Sequence, residues 1–263
     1  MRIVTLVENT SLTNLKPIHG LSFYIETKLH KILFDLGPDN TLLENAIIKN
    51  IDLSQVDTVI ISHGHNDHGG GLKNFFKINS KAKVYVQEKA FEDYYSMKLL
   101  TNKYIGLDKE LKTHANVVLL NGDYTIDDEL SLFVTKTEDK FKSEANATLL
   151  SNTGNDDFKH EQNLFINENG KVLIMGCGHS GVINILENAP EIPEYCLGGF
   201  HIYSPSKGKT VSKMQLDCLC NELEKYNSVN FYTCHCTGKE GYYYLNSKCN
   251  NIKYISCGEE ILI

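Results

Sequence analysis

Residues 62–71 read Ser62-His63-Gly64-His65-Asn66-Asp67-His68-Gly69-Gly70-Gly71. Three histidines and an aspartate fall within six positions. They follow directly on residues 57–62, a short, largely apolar run that reads as a buried strand and delivers His63 at its C-terminal end, where α/β proteins place their sites. Imidazole and carboxylate suit zinc and similar divalent ions; the alternating pair His63 and His65 can converge on one ion while Asp67 and His68 turn towards a second. Gly64 and the glycines at 69–71 let the backbone turn sharply and let the next helix approach closely. The competing reading is a solvated loop that carries histidines by accident, and the density and spacing of the ligand types argue against it.

Working outward on the N-terminal side, residues 2–7, 21–26 and 31–34 are rich in β-branched and aromatic side chains and predict a meander of strands. Past Gly37-Pro38, residues 41–50 place Leu42, Leu43, Ala46 and Ile47 on one helical face, with Thr41 and Glu44 at capping-box spacing. On the C-terminal side the pattern predicts a helix near residues 72–78 and strands at 83–87, 117–120 and 130–135. Residues 97–114 carry no assignable pattern and are long enough for a lid, and residues 137–159, dense in Asn, Asp, Ser and Lys, read as loop. Strands at 163–166 and 171–175 flank Asn167-Glu168-Asn169-Gly170 as a hairpin; strands at 195–200 and 229–233 follow, with a helix over 211–226 between them. Neither linker-like composition nor a short repeat divides the chain, so we expect one layered α/β domain over residues 1–263, with helices outside two sheets.

A chain of 263 residues can bury a sizeable core without disulfides. Its 41% of AVILMFWYC and 22% of DEKR are ordinary globular usage, which excludes collagen-like, disordered and disulfide-scaffold classes. Lys and Arg number 26 against 33 Asp and Glu, a formal charge of -7 that argues against nucleic acid as the partner and for a small-molecule substrate. No apolar run approaches the roughly 18 residues of a membrane span, and the first apolar stretch meets Glu8 too early for a secretory signal, so we expect a cytoplasmic protein without a membrane partner. The eight cysteines, at 177, 196, 218, 220, 234, 236, 249 and 257, include no CxxC pair. A zinc ribbon is thereby excluded, and reduced thiols are the simplest reading.

The pattern His63-x-His65-x-Asp67-His68 resembles the HxHxDH motif of the metallo-β-lactamase superfamily, and Phe34-Asp35-Leu36-Gly37 stands where that family has Asp-x-Gly after an early strand. More narrowly, His19-Gly20-Leu21-Ser22, Gly176-Cys177-Gly178-His179-Ser180-Gly181, Gly198-Gly199-Phe200-His201 and His235-Cys236-Thr237-Gly238 are similar to the dihydropterin ribofuranosylaminobenzene phosphate synthase-like hydrolases, over nearly the whole chain. The resemblance implies a four-layer αββα sandwich of metallo-β-lactamase type and two divalent metal ions, zinc first, with iron or manganese as alternatives. It makes Asp35 a carboxylate that orients a metal-bound histidine, although turn chemistry alone would equally let Asp35 end a strand. A subfamily label does not fix the reaction of each member.

The remaining ligands should come from histidines after later strands. His179 follows the strand at 171–175, at a place where many superfamily relatives carry Gly-Asp with a bridging aspartate; here Cys177 stands instead, as a soft ligand, a group behind the ligands or an ordinary small residue. His235 matches the last superfamily histidine in order, and on an extended chain Cys234 and Cys236 would point away from its face and serve as structural thiols. His201 precedes a hydroxyl-rich basic loop, Tyr203 to Thr210, that enters a helix. Lys207 and Lys209 could there hold a substrate phosphate or carboxylate, with His201 as acid, ligand or orienter, or the loop could serve only to cap the helix through Ser212 and Gln215. His160 is a reserve ligand, whereas His30 and His114 lack such context and read as surface residues. Tyr242, Tyr243 and Tyr244 either stack on a heteroaromatic substrate or pack against a sheet.

Together these residues predict a metal-dependent hydrolase with a binuclear site. His63, His65 and His179 would hold the first ion and Asp67, His68 and His235 the second, with Asp67 also orienting the nucleophile or relaying its proton. A small, anionic ester, phosphoester or lactone fits that machinery. The rival is a non-hydrolytic di-iron redox or ligand-binding protein of the same fold, encouraged by Cys177 in place of the bridging acid.

Overall fold

Alternation within single strands dictates a layered packing. The computed structural model describes residues 1–98, 101–136 and 141–263. Its first half runs β1 (Arg2–Val7), β2 (Ser22–Glu26), β3 (Lys31–Phe34), α1 (Thr41–Ile48), β4 (Thr58–Ile60), the one-turn helices α2 (Asn66–Gly69) and α3 (Leu72–Phe75), β5 (Lys83–Gln87), β6 (Tyr94–Ser96), β7 (Lys103–Tyr104) and β8 (Val117–Leu120). The second half begins with β9 (Tyr124–Thr125), β10 (Leu130–Phe133), β11 (Leu149–Ser151), β12 (Gly154–Asn155), β13 (Asn163–Asn167) and β14 (Lys171–Ile174). It continues with α4 (Val182–Asn188), β15 (Tyr195–Gly198), β16 (Tyr203–Ser204), β17 (Lys209–Thr210), α5 (Lys213–Leu223), β18 (Asn230–Thr233), α6 (Lys239–Asn246), β19 (Ile252–Tyr254) and β20 (Glu260–Leu262).

Two seven-stranded sheets result, ordered β20-β1-β2-β3-β4-β5-β8 and β19-β18-β15-β14-β13-β10-β9. Each joins an antiparallel meander to parallel strands: β3, β4, β5 and β8 in the first sheet, β14, β15, β18 and β19 in the second. Parallel neighbours need crossovers, and these supply the helices of the outer layers. The strand period of two sorts the side chains. Phe23, Ile25, Ile32, Phe34 and Ile60 meet Leu132, Leu164, Ile166, Val172 and Ile174 in a buried layer between the sheets. Their chain neighbours Tyr24, Leu33 and Val59 pack outward with Leu42, Ala46, Leu72 and Phe75, whereas Leu173, Cys196 and Phe231 pack outward with Ile183, Leu216, Leu219 and Leu245. Truncating one of these buried leucines to alanine should cost about 2–5 kcal/mol. The four-layer α/β/β/α architecture expected from the sequence is the one adopted.

Several local expectations are corrected. The capping box at Thr41 does not form: Asp39 Oδ1 accepts the Thr41 N–H at 2.8 Å, and the buried Thr41 hydroxyl has no partner among the described residues. The helix expected to reach residue 78 ends at Phe75. Within the expected loop at 137–159, a 3-10 turn (Glu144–Thr148) leads into β11 and β12, which join β6 and β7 in a small sheet ordered β12-β11-β6-β7. Strands of two or three residues are too short for composition to reveal. Residues 137–140 of that loop, and 99–100 of the expected lid, lie outside the described residues. Among the described residues no helix is long and apolar enough to cross a membrane.

Candidate metal centre

Loops at the C-terminal ends of strands from both sheets meet at one cleft. His63 follows β4, His179 follows β14, His201 follows β15 and His235 follows β18. The motif loop is stitched to the meander: Leu21 N–H donates to Asp67 O (3.2 Å) and Leu36 N–H to His68 O (2.7 Å). Gly20 makes this approach possible, since a Cβ there would lie 2.6 Å from Asp67 O and 2.7 Å from Pro38 Cδ, at a φ of +156°. His19 is thereby carried to the rim of the centre.

His63, His65 and His179 form one convergent group, each offering a ligand atom within 4.8 Å of the others. All three are buried, and among the described residues none of their Nε2 atoms has a hydrogen-bond partner. His65 Nε2 makes only a long approach, 3.5 Å, to Asp156 Oδ2. Leaving a buried polar atom unpaired costs about 1–3 kcal/mol, so three such nitrogens facing one point fit a divalent ion. A second group is built around Asp67, whose Oδ2 lies 3.3 Å from His19 Nε2, 3.3 Å from His235 Nε2 and 3.7 Å from His68 Nε2. Cys177 Sγ stands 3.2 Å from His68 Nε2 and joins His63 and His68 in a third convergent group.

Hydrogen bonds at the rear set which ring nitrogen faces the cleft. Asn146 Nδ2 donates to the His179 carbonyl (2.8 Å), which turns Asn146 Oδ1 to accept from His179 Nδ1 (3.0 Å). Asn9 repeats the device at His235: Nδ2 donates to the His235 carbonyl (3.2 Å) and Oδ1 accepts from Nδ1 (2.8 Å). Both arrangements place the proton on Nδ1 and leave the Nε2 lone pair to the centre. Glu8 and Glu161 hold the loops themselves: Glu8 Oε1 accepts the His235 N–H (2.7 Å), while Glu161 accepts the N–H groups of His179 (2.7 Å) and Ser180 (2.8 Å).

Burial and neighbouring charges act differently on each member of the cluster. Burial, reinforced by His68 and His65, holds His63 well below the ordinary histidine value, and burial with His201 and His63 does the same to His179. Burial alone would also depress His68, yet Asp35 and Asp67 outweigh it and raise its pKa. Burial disfavours the Asp67 carboxylate, but His68, His235 and His19 prevail and keep its carboxyl well below the usual range. Burial and the neighbouring Cys236 push the Cys177 thiol well up. His201, 5% exposed, has both ring nitrogens without a partner among the described residues, and burial, aided by His65 and His235, lowers it to about 3. Its backbone φ is +45°; Asp35 (+61°) and His235 (+50°) share that left-handed region, uncommon for residues other than glycine.

The expected site residues thus fall into two sets. His63, His65, Asp67, His68, His179, His201 and His235 converge, with Cys177 among them. His160 does not offer a free nitrogen: Nδ1 accepts the Gly64 N–H (2.9 Å) and Nε2 faces Asp156 (3.1 Å). Lys207 and Lys209 line a separate, smaller depression with Glu144 and Ser212, where Ser212 Oγ accepts the Gln215 N–H as a helix cap. Cys236 corrects the expectation of a thiol turned away. The positive φ of His235 breaks the extended alternation, and Cys236 lines the cleft with its Sγ 3.4 Å from the Cys177 carbonyl. His30 is not a bare surface residue but bridges Asp57 and Asp127, and His114 stacks on Phe76. Tyr242 and Tyr244 pack against the outer core of the second sheet, and Tyr243 is exposed. Sequence reasoning gave no role to His19, Asn9, Asn146, Asp156 or Glu161, and only the His19-Gly20 pair left a trace.

The cleft opens into a cavity of about 750 Å³ lined by His19, His65, Asp67, His179, His201 and His235 at its floor, with Ile18, Leu107 and Leu149 along its walls. The sequence profile of the metallo-beta-lactamase superfamily matches residues 15–185. The chain is 32% identical to an uncharacterized protein of Methanocaldococcus jannaschii, over 98% of this chain and 99% of that protein. It is 27% identical to the 7,8-dihydropterin-6-methyl-4-(beta-D-ribofuranosyl)-aminobenzene-5'-phosphate synthase of the same organism, over 84% of this chain and 81% of that one. Among solved structures it is similar to Tm1679, a metal-dependent hydrolase of the beta-lactamase superfamily, with a TM-score of 0.83 and 26% identity over 100% of this chain and 99% of the other.

Proposed function

Since the chain belongs to the metallo-β-lactamase superfamily, we propose that it is a hydrolase using two divalent ions, zinc in the first instance, on a small anionic ester, phosphoester or lactone. The observation that carries this reading is the convergence of three buried Nε2 atoms, on His63, His65 and His179, that have no partner among the described residues. These three would hold one ion, and Asp67, His68 and His235 the second. When bound, such ions polarise a substrate oxygen and make water nucleophilic at neutral pH.

The protein's own groups do the rest. Asp67 stays ionised beside its histidines, so its carboxylate can accept a hydrogen bond from the attacking water and orient it. His201, neutral over the ordinary pH range, would hydrogen-bond the substrate through its ring N–H and not act as a stored proton. Ile18, Leu107 and Leu149 give the cavity apolar surface against which an organic substrate can pack. A panel of aryl esters, lactones and phosphodiesters offered to the purified, metal-loaded protein tests the reading: turnover abolished by His63→Ala supports it, and no turnover on any class contradicts it. The second reading, a redox or ligand-binding protein, is favoured by the Cys177 thiol beside His68. A visible absorption band from iron in the protein as isolated would support it.

A further inference from the structure

The hairpin of β6 and β7 turns one of its faces to the metal centre. Tyr94 packs its ring edge-on to His65, with centroids 5.9 Å apart. Two residues on, Ser96 lines the cavity and its Oγ lies 2.7 Å from Ser206 Oγ. Lys103 is the cross-strand partner of Ser96, and paired residues share a face of a sheet. Lys98 follows Ser96 by two positions, and it too lines the cavity together with Lys103. Two lysines therefore line the cavity beside a strand pair whose Tyr94 meets His65 of the floor.

Their charge is free to act on a ligand. Among the described residues neither Lys98 nor Lys103 has a carboxylate partner. The acid on the same rim, Asp108, is taken up by Lys73 at 3.2 Å. The other basic pair, Lys207 and Lys209, sits around Glu144, whose carboxylate accepts both the N–H (3.0 Å) and the hydroxyl (2.7 Å) of Ser212. That loop reaches the large cavity through Pro205 and Ser206, whereas Lys207 and Lys209 line the smaller depression beside the helix start. The same cavity that holds the two lysines and the histidines is also lined by Ile18, Leu107 and Leu149, apolar surface that gains nothing from a small, fully hydrated ion.

We propose that Lys98 and Lys103 form an anion-binding subsite at the mouth of the cavity, and that the substrate is amphipathic, with an apolar body against Ile18, Leu107 and Leu149 and a phosphate, sulfonate or carboxylate on the two lysines. This deepens the hydrolase reading by naming the far end of its substrate, and it rests on that reading only in sharing the cavity. It assigns the anion to the β6–β7 hairpin and not to the Lys207–Lys209 loop.

A matched pair of fluorescent probes tests it without requiring turnover. Anilinonaphthalene sulfonate and the neutral N-phenyl-1-naphthylamine share an apolar body and differ in the anion, and a sulfonate is a poor metal ligand. The metal-loaded, full-length protein should bind the sulfonate about tenfold more tightly than its neutral twin, with the preference shrinking as salt is raised. In Lys98→Gln/Lys103→Gln the preference should disappear while the melting temperature and the affinity for the neutral probe stay unchanged. Lys207→Gln/Lys209→Gln should keep the preference. No preference in the wild-type protein, a preference that survives loss of Lys98 and Lys103, or one lost only with Lys207 and Lys209 would each overturn the proposal. Absent turnover with the preference intact would count against the hydrolase reading alone.

Discussion

Asp35 Oδ2 lies 2.6 Å from His68 Nδ1, with both side chains fully buried. The same carboxylate accepts the Ser62 N–H on Oδ1 (2.7 Å) and the Ser62 hydroxyl on Oδ2 (2.7 Å), and Ser62 Oγ is 2.8 Å from His63 Nδ1. An ionised carboxylate only accepts, so Ser62 must donate to it and take its own hydrogen bond from His63 Nδ1–H. One aspartate, held at an unfavourable positive φ, therefore fixes the tautomers of two candidate ligands and presents the Nε2 atoms of both to the cleft. Gly176 leaves room for this relay, because a Cβ there would collide with the Ser62 hydroxyl.

Asp35→Asn keeps the volume but puts a donor where only acceptors fit. We expect metal affinity to fall by about 10- to 100-fold, read by competition with a chelator, while circular dichroism reports an intact fold. Unchanged affinity would remove Asp35 from the positioning of His68 and His63.

The two asparagine clamps should be separable. Asn146→Ala frees the His179 ring and should weaken the ion proposed for His63, His65 and His179, whereas Asn9→Ala frees His235 and should weaken the one proposed for Asp67, His68 and His235, each by about tenfold or more. Stepwise metal titration of both variants distinguishes the sites. The same change in both titrations would mean that the two groups bind as a unit.

His30 offers a pH test remote from the centre. Its ring nitrogens lie 2.9 Å from Asp57 Oδ1 and 2.6 Å from Asp127 Oδ2, and these carboxylates raise its pKa even though burial works against them. The protonated ring is favoured by the fold, so its stabilisation is fully present below the unfolded value of about 6.5 and is lost as the pH climbs through the higher folded value. His30→Gln should therefore destabilise most near about pH 6, by roughly 1 kcal/mol at most for a solvent-screened site, and little near about pH 9. Urea unfolding across that range measures the difference, and a gap that widens with pH would contradict the assignment.

Much of this was legible in the sequence because it is local. The period-two pattern of Phe23, Ile25, Ile32 and Phe34 against Tyr24 and Leu33 already contains the division into a middle and an outer core. His63, His65, Asp67 and His68 are contiguous, so their convergence needs only one loop. What escaped is set by packing between distant segments. Asn9 meets His235, Asn146 meets His179, and His19 reaches Asp67 across a loop whose place depends on Gly20. Spacing also misled where a competing partner was nearer. Asp39 accepts the Thr41 N–H that a capping box would give to Glu44, and the basic pair at 207 and 209 lines a depression with Glu144 and not the cleft.

We propose that two groups of side chains, one around His63, His65 and His179 and one around Asp67, His68 and His235, each hold a divalent ion. Metal stoichiometry by elemental analysis, on zinc-reconstituted wild type, His179→Ala and His235→Ala, tests it most directly. About two ions per chain are expected in the wild type and about one in each variant, with hydrolysis lost in both. At most one ion in the wild type, or two ions retained after either substitution, would contradict it.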